Sequence, residues 1–354
     1  MDEATLTDAS LLIGLARYDE ADRVLHQLLD QARAAGDDDL ASQALEGLGT
    51  MATRRGYEAE ALQLFEESLT LAGSPDPATR EDLYVNIARL RSFLGDPPGA
   101  IALLEDCVGR VSAGAEPDPE VIAHFTITLC NAYTDHGDYG QATTALAGLL
   151  ADGAEELDLR LRRRIYAALA RVSVNTGRSD QAVQYAEKML ELTLDSGVGD
   201  VFDSYLMCAH ARLDAGDTGP AGEHLEAARR NQPYPLSSVD EGFLLVEESR
   251  HALQQGDHDL AIERARQAVE LLGDGSMAGL LGLAYLVIAR VYDETEEVER
   301  ADRAYRMAIS NLRRQGGWPV DLAKAYRRYG KFLRRTGRPD AAIEMLELAS
   351  ETGF

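Results

Sequence analysis

The sequence predicts an all-α chain, an α-solenoid of nine stacked helix-turn-helix hairpins. Three observations carry this. Pairs of small residues twelve positions apart recur along the 354 residues, a glycine falls between the members of nearly every pair, and the flanking apolar residues follow helical spacing.

Residues 121–150, VIAHFTITLCNAYTDHGDYGQATTALAGLL, show the unit. Cys130 and Ala142 are the small pair, and Gly137-Asp138 breaks the helical pattern between them. In a helix hairpin such positions sit where two backbones cross closely, so nothing larger fits comfortably. The first members along the chain are Ala9, Gly49, Ala88, Cys130, Ala170, Ala209, Ser249, Ala289 and Gly330. The second are Ala21, Ala61, Ala100, Ala142, Ala182, Ala221, Ala261, Ala301 and Ala342. Five residues before each second member stands Gly56, Gly95, Gly137, Gly177, Gly216, Gly256 or Gly337, with Ala16 and Glu296 as departures. Glycine lets the first helix end in a left-handed conformation without steric cost. From Ala21 to Ala342 is 321 residues over eight intervals, a mean repeat of 40.1. Large side chains four places after the second small residue (Phe65, Leu104, Leu146) and tyrosines four places before the first (Tyr84, Tyr166, Tyr205) supply i, i+4 contacts around each hairpin core.

This small-twelve-small pattern with glycine between resembles the tetratricopeptide repeat over essentially the whole chain. The resemblance implies a right-handed α-solenoid of nine repeats, a single domain over 1–354, with repeats at 3–36, 40–74, 80–113, 120–152, 158–196, 201–232, 239–273, 278–315 and 319–350. The usual period is about 34 residues, so the additional residues lengthen helices or connectors. The proline that often closes such a repeat is found only at Pro233, which fits longer second helices. This longer period resembles the sensory repeat regions of bacterial transcription regulators. HEAT and armadillo repeats have periods of about 40 to 47 residues but do not require paired small positions.

In chain order, repeat one has a short first helix that frays. Asp37, Asp38 and Asp39 offer N-caps to repeat two. AGSPDPATRED and SAGAEPDPEV hold the turn residues on either side of repeat three. NQPYPLSSVDEG, after repeat six, carries two prolines and makes a looser joint. Repeat eight replaces the glycine turn with ETEEVER, and repeat nine ends without a polar capping helix, which leaves its last face to pair with a second copy or a further segment.

Composition narrows the function classes. A formal charge of −25 disfavours direct binding to nucleic acid or acidic membranes. Three scattered cysteines, Cys107, Cys130 and Cys208, imply buried reduced thiols rather than a disulfide framework. The acidic start MDEATLTDAS lacks a signal-peptide pattern, and the longest apolar run, residues 277–289, is too short to span a bilayer and reads as core. A cytoplasmic location follows as the expectation. Arginine outnumbers lysine heavily, with only Lys188, Lys324 and Lys331, which reflects a GC-rich coding sequence.

A search for reaction chemistry yields no catalytic set, cofactor or metal site. GDGSMAG at 273–279 satisfies Gly-x-Gly-x-x-Ala, but a helix precedes it, so it reads as an inter-repeat turn. Gly330-Lys331 is followed by Phe332, not by the Ser or Thr of a phosphate loop, and HExxH, paired CxxC and GxSxG are absent. His251 and His258 lie seven apart but are separated by Gly256.

The informative surface is the inner face of the first helices. The residue after the first small position points into the concave channel: Ser10, Thr50, Arg89, Asn131, Arg171, His210, Arg250, Arg290 and Lys331. One turn on stand Arg54, Asp135, Asn175, Asp214, Gln254, Glu294 and Arg335. Two readings stand side by side: ion-pair ladders with Asp214, Glu294 and other acids, or a groove for carboxylates or an acidic peptide, in which Asn131 and Asn175 hold the peptide backbone. Residues 312–338 carry nine basic residues and one acid, a charge of +8 against −33 for the remainder. Within them Lys324, Arg327, Arg328, Lys331, Arg334 and Arg335 form one stripe, which docks on acidic surface of the solenoid or of another chain.

The resulting expectation is a non-enzymatic scaffold, a cytosolic regulator or sensor holding a peptide, small ligand or protein domain. Residues 321–350, DLAKAYRRYGKFLRRTGRPDAAIEMLELAS, resemble the last repeats of bacterial transcription regulators. No DNA-binding domain precedes the first repeat, so transcription regulation would act through a partner or a further segment. The alternative is an assembly or accessory factor that holds an enzyme or complex partner.

Overall fold

The computed structural model describes all residues except 1, 74, 152, 154–155, 198–199, 234–235, 274–276, 316–317 and 353–354, together with the backbone but not the side chains of 2–4 and 315. Among the described residues there are eighteen helices and no strand. They divide into two compact units, residues 1–132 and 133–354. The division falls inside a helix and not at the proline-bearing joint after repeat six, of which Tyr234 and Pro235 lie outside the described residues.

The first unit holds α1 (Asp2–Gly14), α2 (Tyr18–Ala35), α3 (Asp38–Arg54), α4 (Glu58–Leu71), α5 (Glu81–Phe93), α6 (Pro97–Ser112) and most of α7 (Pro119–His136). The second holds the end of α7, then α8 (Tyr139–Ala151), α9 (Leu159–Asn175), α10 (Ser179–Ser196), α11 (Val201–Ala215), α12 (Thr218–Arg230), α13 (Ser238–Gln254), α14 (His258–Leu272), α15 (Ala278–Glu294), α16 (Val298–Gln315), α17 (Pro319–Arg335) and α18 (Pro339–Glu351). Odd-numbered helices are the first members of the hairpins.

The hairpins close where the small residues are. All eighteen are buried, and a Cβ added at Gly49 would come within 2.9 Å of the Phe65 ring of the partner helix. The nine turns share a left-handed residue: the seven predicted glycines have positive φ, and so do Ala16 (56°) and Glu296 (60°). The turn geometry therefore outlasts the loss of its preferred residue, at a cost of about 1–2 kcal/mol where a Cβ is present.

Caps fix several helix starts. Asp37, Asp158 and Asp257 accept hydrogen bonds from the backbone N–H three residues on, at Leu40, Leu161 and Leu260. Helix α1, at 13 residues, is as long as α5 and buries Ala9 and Ile13.

In the first unit, core clusters centre on Leu25 and Leu45, then on Phe65 and Ile87. In the second, one cluster runs from Ala252 to Ala349 and contains the ring trio Tyr305, Tyr329 and Phe332, with centroids 5.4–6.1 Å apart. The apolar run 277–289 is core, and twelve of the seventeen residues of α15 are buried. Among the described residues no helix is long and apolar enough to cross a membrane.

Candidate functional site

The residue after the first small position lies on the first helix of each hairpin. In the second unit it forms rungs between successive repeats. Arg171 on α9 pairs with Asp135 on α7, and Arg250 on α13 pairs with Asp214 on α11. In both rungs the arginine follows its own small residue by one, and the carboxylate follows the preceding repeat's small residue by five, 36 residues back.

The Arg250 rung is the centre of a larger charge cluster. Arg250 Nη1 donates to Glu247 Oε2 at 2.7 Å, and Glu247 is buried. His210 Nδ1 lies 2.9 Å from both Glu247 Oε1 and Arg250 Nη1. From α17, Lys324 Nζ reaches Asp214 Oδ2 at 3.3 Å and Asp321 Oδ1 at 3.8 Å. The inner faces of α11, α13 and α17 therefore converge, although two hairpins lie between α11 and α17 in the chain.

Burial alone would push the Glu247 carboxyl up, but Arg250 and His210 outweigh it and hold it down at about 2. The same balance keeps Asp214 well below the usual carboxylate range. Burial pushes His210 down, while Glu247 more than compensates and raises it. Arg250 is raised too, because Glu247 and Asp214 outweigh its own desolvation.

Two arginines at the same position have no acid across the rung. Opposite Arg290 the preceding repeat presents Gln254, and opposite Arg89 it presents Arg54. Burial lowers the pKa of Arg290. Arg89 is solvent-exposed at its surface, and its nearest polar contact is Asn86 Oδ1 at 3.5 Å. Among the described residues the one ion-pair contact of Arg290 is with Glu294 of its own helix, at 3.7 Å, and its Nε is buried without a hydrogen-bond partner.

The other predicted positions behave differently from one another. Arg54 and Lys331 are exposed, and Asn131 is half-buried. Asn175 donates one of its two amide protons to the Arg171 carbonyl at 3.0 Å. The basic stripe lies on α17, but its members part company. Lys324 is tied to Asp214 and Arg335 to Asp293, whereas Arg327, Arg328, Lys331 and Arg334 make no ion pair among the described residues.

His251 and His258 do not act together: the first contacts the Thr218 carbonyl and the second Glu294. A grouping not visible in the sequence is Glu81, Asp82 and His124, whose ligand-capable atoms lie within 4.8 Å of one another. Residues 42 and 43 apart on α5 and α7 carry no spacing signal, and both acids already suit the first turn of α5. The three cysteines are buried and outside any disulfide, and burial pushes their thiols up to about 12, which removes them as nucleophiles. Of GDGSMAG, residues 274–276 lie outside the described residues, while Gly273 ends α14.

Residues 165–198 match the family described as tetratricopeptide repeat. No curated protein sequence matches the chain. Solved structures share the fold at low identity. A Rap protein complexed with Competence and Sporulation Factor is 11% identical with a TM-score of 0.67, over 99% of this chain and 97% of that one. NprR in complex with its cognate peptide NprX is 14% identical with a TM-score of 0.62, over 88% of each chain. A tetratricopeptide repeat protein from Parabacteroides merdae is 16% identical with a TM-score of 0.53, over 80% of this chain and 98% of that one.

Proposed function

We propose that this tetratricopeptide-repeat solenoid is a regulatory scaffold that holds a peptide, a small ligand or a protein domain against the inner faces of its first helices, without catalysing a reaction. The observation that carries this reading is the convergence of charged side chains from α11, α13 and α17 on one face. Buried ion networks of this kind fix side-chain positions, and arginine forks held in place are suited to planar anions. Two neighbours of the same fold are recorded with a factor or a peptide bound, which supports a peptide as the first class to test. A cytosolic setting and an influence on transcription through a partner protein belong to the same reading.

Calorimetry with pooled acidic and neutral peptides tests it, using the full chain and the double charge reversal Arg171→Glu, Arg290→Glu. The expected result is binding of a pool member that the reversal weakens at least tenfold. Unchanged affinity removes the inner face from the reading. The four cations of α17 that make no ion pair among the described residues favour a second reading, an accessory factor that grips an acidic protein. Neutralising Arg327, Lys331 and Arg334 together would then abolish salt-sensitive capture of a protein partner while leaving peptide binding intact.

A further inference from the structure

We propose that the last hairpin docks on the first helix of a second copy, so that the chain associates head to tail; this is independent of what the inner face binds. Successive hairpins meet through recurring positions. The residue four places after the second small one reaches the residues one before and two after the next hairpin's first small one. Tyr305 does so with ring centroids 5.4 Å from Tyr329 and 5.5 Å from Phe332. Leu25 shares a core cluster with Leu48 and Met51, and Phe65 shares another with Ile87 and Leu90.

The first and last hairpins depart from this pattern in complementary ways. In eight hairpins, from Leu25 to Tyr305, the reaching residue is at most 4% exposed, but Leu346 in the ninth is 36% exposed. One turn before it on α18, Ile343 is exposed as well. The receiving place two after the first small residue holds a buried apolar side chain in seven later hairpins, but in the first it holds Leu11, which is 62% exposed. The other receiving place, filled by buried Leu48, Ile87 and Tyr329 elsewhere, is the exposed Asp8. In the same two hairpins the opposite positions, Leu25 and Phe332, are buried, so the exposure is directional.

Charge selects the pairing. Helix α1 carries three acids and no base, whereas α17 carries six bases and one acid. Arg334 lies on the same side of its hairpin as Leu346: the equivalent residue of the preceding hairpin, Asp293, accepts from the Tyr305 hydroxyl at 3.2 Å. Earlier hairpins fill that place with buried Val174, Leu213 and Leu253. Arg334 and Asp8 are both exposed and make no ion pair among the described residues. Seating α1 of one copy on α17 and α18 of another brings Leu11 to Leu346 and Asp8 beside Arg334, the pattern of an internal pair of hairpins. Pairing two last hairpins with each other would instead oppose two cationic helices. Because the two surfaces differ, each pair of copies keeps one of each free for further addition.

The test is sedimentation velocity of the full chain across a wide concentration range, with Leu11→Lys, Leu346→Glu and an equimolar mixture of the two, each checked for helicity by circular dichroism. The parent is expected to gain mass with concentration, and less so in high salt. Each variant alone should associate more weakly by about tenfold or more, because one of its two surfaces is spoiled. The mixture should recover association but stop at dimers, since the intact last hairpin of Leu11→Lys fits the intact α1 of Leu346→Glu. A parent that stays monomeric overturns the proposal. So does Leu11→Lys associating like the parent, the sign of last hairpins pairing with each other, or a mixture no more associated than its components. If either variant loses helicity, Arg334→Asp takes its place: association should weaken and return in the double variant Asp8→Arg, Arg334→Asp, and failure to return overturns the pairing.

Discussion

Arg250 and Arg290 occupy the same position in successive repeats, yet their surroundings are opposite. Arg250 lies between Asp214 and Glu247, and its pKa is raised. At Arg290 the corresponding place in the preceding repeat holds Gln254, and the arginine's pKa is lowered, first by burial and then by Arg328. The first unit repeats the second situation, since Arg89 is followed by no rung acid and the equivalent place holds Arg54. The lesson is that a repeated inner position has no chemistry of its own. One residue in the preceding hairpin decides whether an arginine is tied into an ion pair across the rung.

The largest effect expected from this contrast is in stability. Arg250→Met strands Glu247 in the interior and should lower the unfolding free energy by about 3–5 kcal/mol, the range for breaking a buried pair from one side. Arg290→Met removes a guanidinium that has no full partner and should change it by less than about 1 kcal/mol. Urea denaturation of the two variants side by side measures both, and equal losses would break the contrast.

A smaller effect should follow from building a rung where none exists. Arg54→Asp places a carboxylate opposite Arg89 in the first unit and should add about 0.5–1 kcal/mol, since the pair is near the surface and screened. The gain should shrink in high salt. A loss of stability would mean that the rung geometry does not extend to the first unit.

The smallest effect is in pH dependence. His210 is raised in the folded chain, so its contribution is complete below its unfolded value of about 6.5 and is lost as pH rises through the higher folded value. Glu247 is depressed to about 2, so its contribution is complete above its unfolded value of about 4.3 and is lost as pH falls toward 2. The melting temperature should therefore be highest between those limits. In His210→Gln the alkaline decline should flatten, and an unchanged decline would separate His210 from the cluster.

Much of the fold was legible because small residues and left-handed turns are local requirements. Eighteen small positions and nine turns, including the irregular ones at Ala16 and Glu296, stand where their spacing placed them. The site was legible only in part. The ladder partner Asp214 could be anticipated for Arg250, because both lie at fixed offsets from small residues. Glu247, three residues before Arg250 and buried, could not be told from a solvated acid by its neighbours in sequence. Lys324 meets Asp214 across 110 residues, a distance at which repeat spacing carries no information about how far the helices turn.

That contact also limits how the chain can change its length. Repeat arrays ordinarily grow or shrink by whole modules, because each module touches only the one before and the one after. Here the closure of Lys324 on Asp214 depends on the rotation accumulated over two intervening modules. Duplicating or deleting either would carry the ammonium group away from its acid, so this stretch is expected to keep a fixed copy number while arrays without such a closure drift.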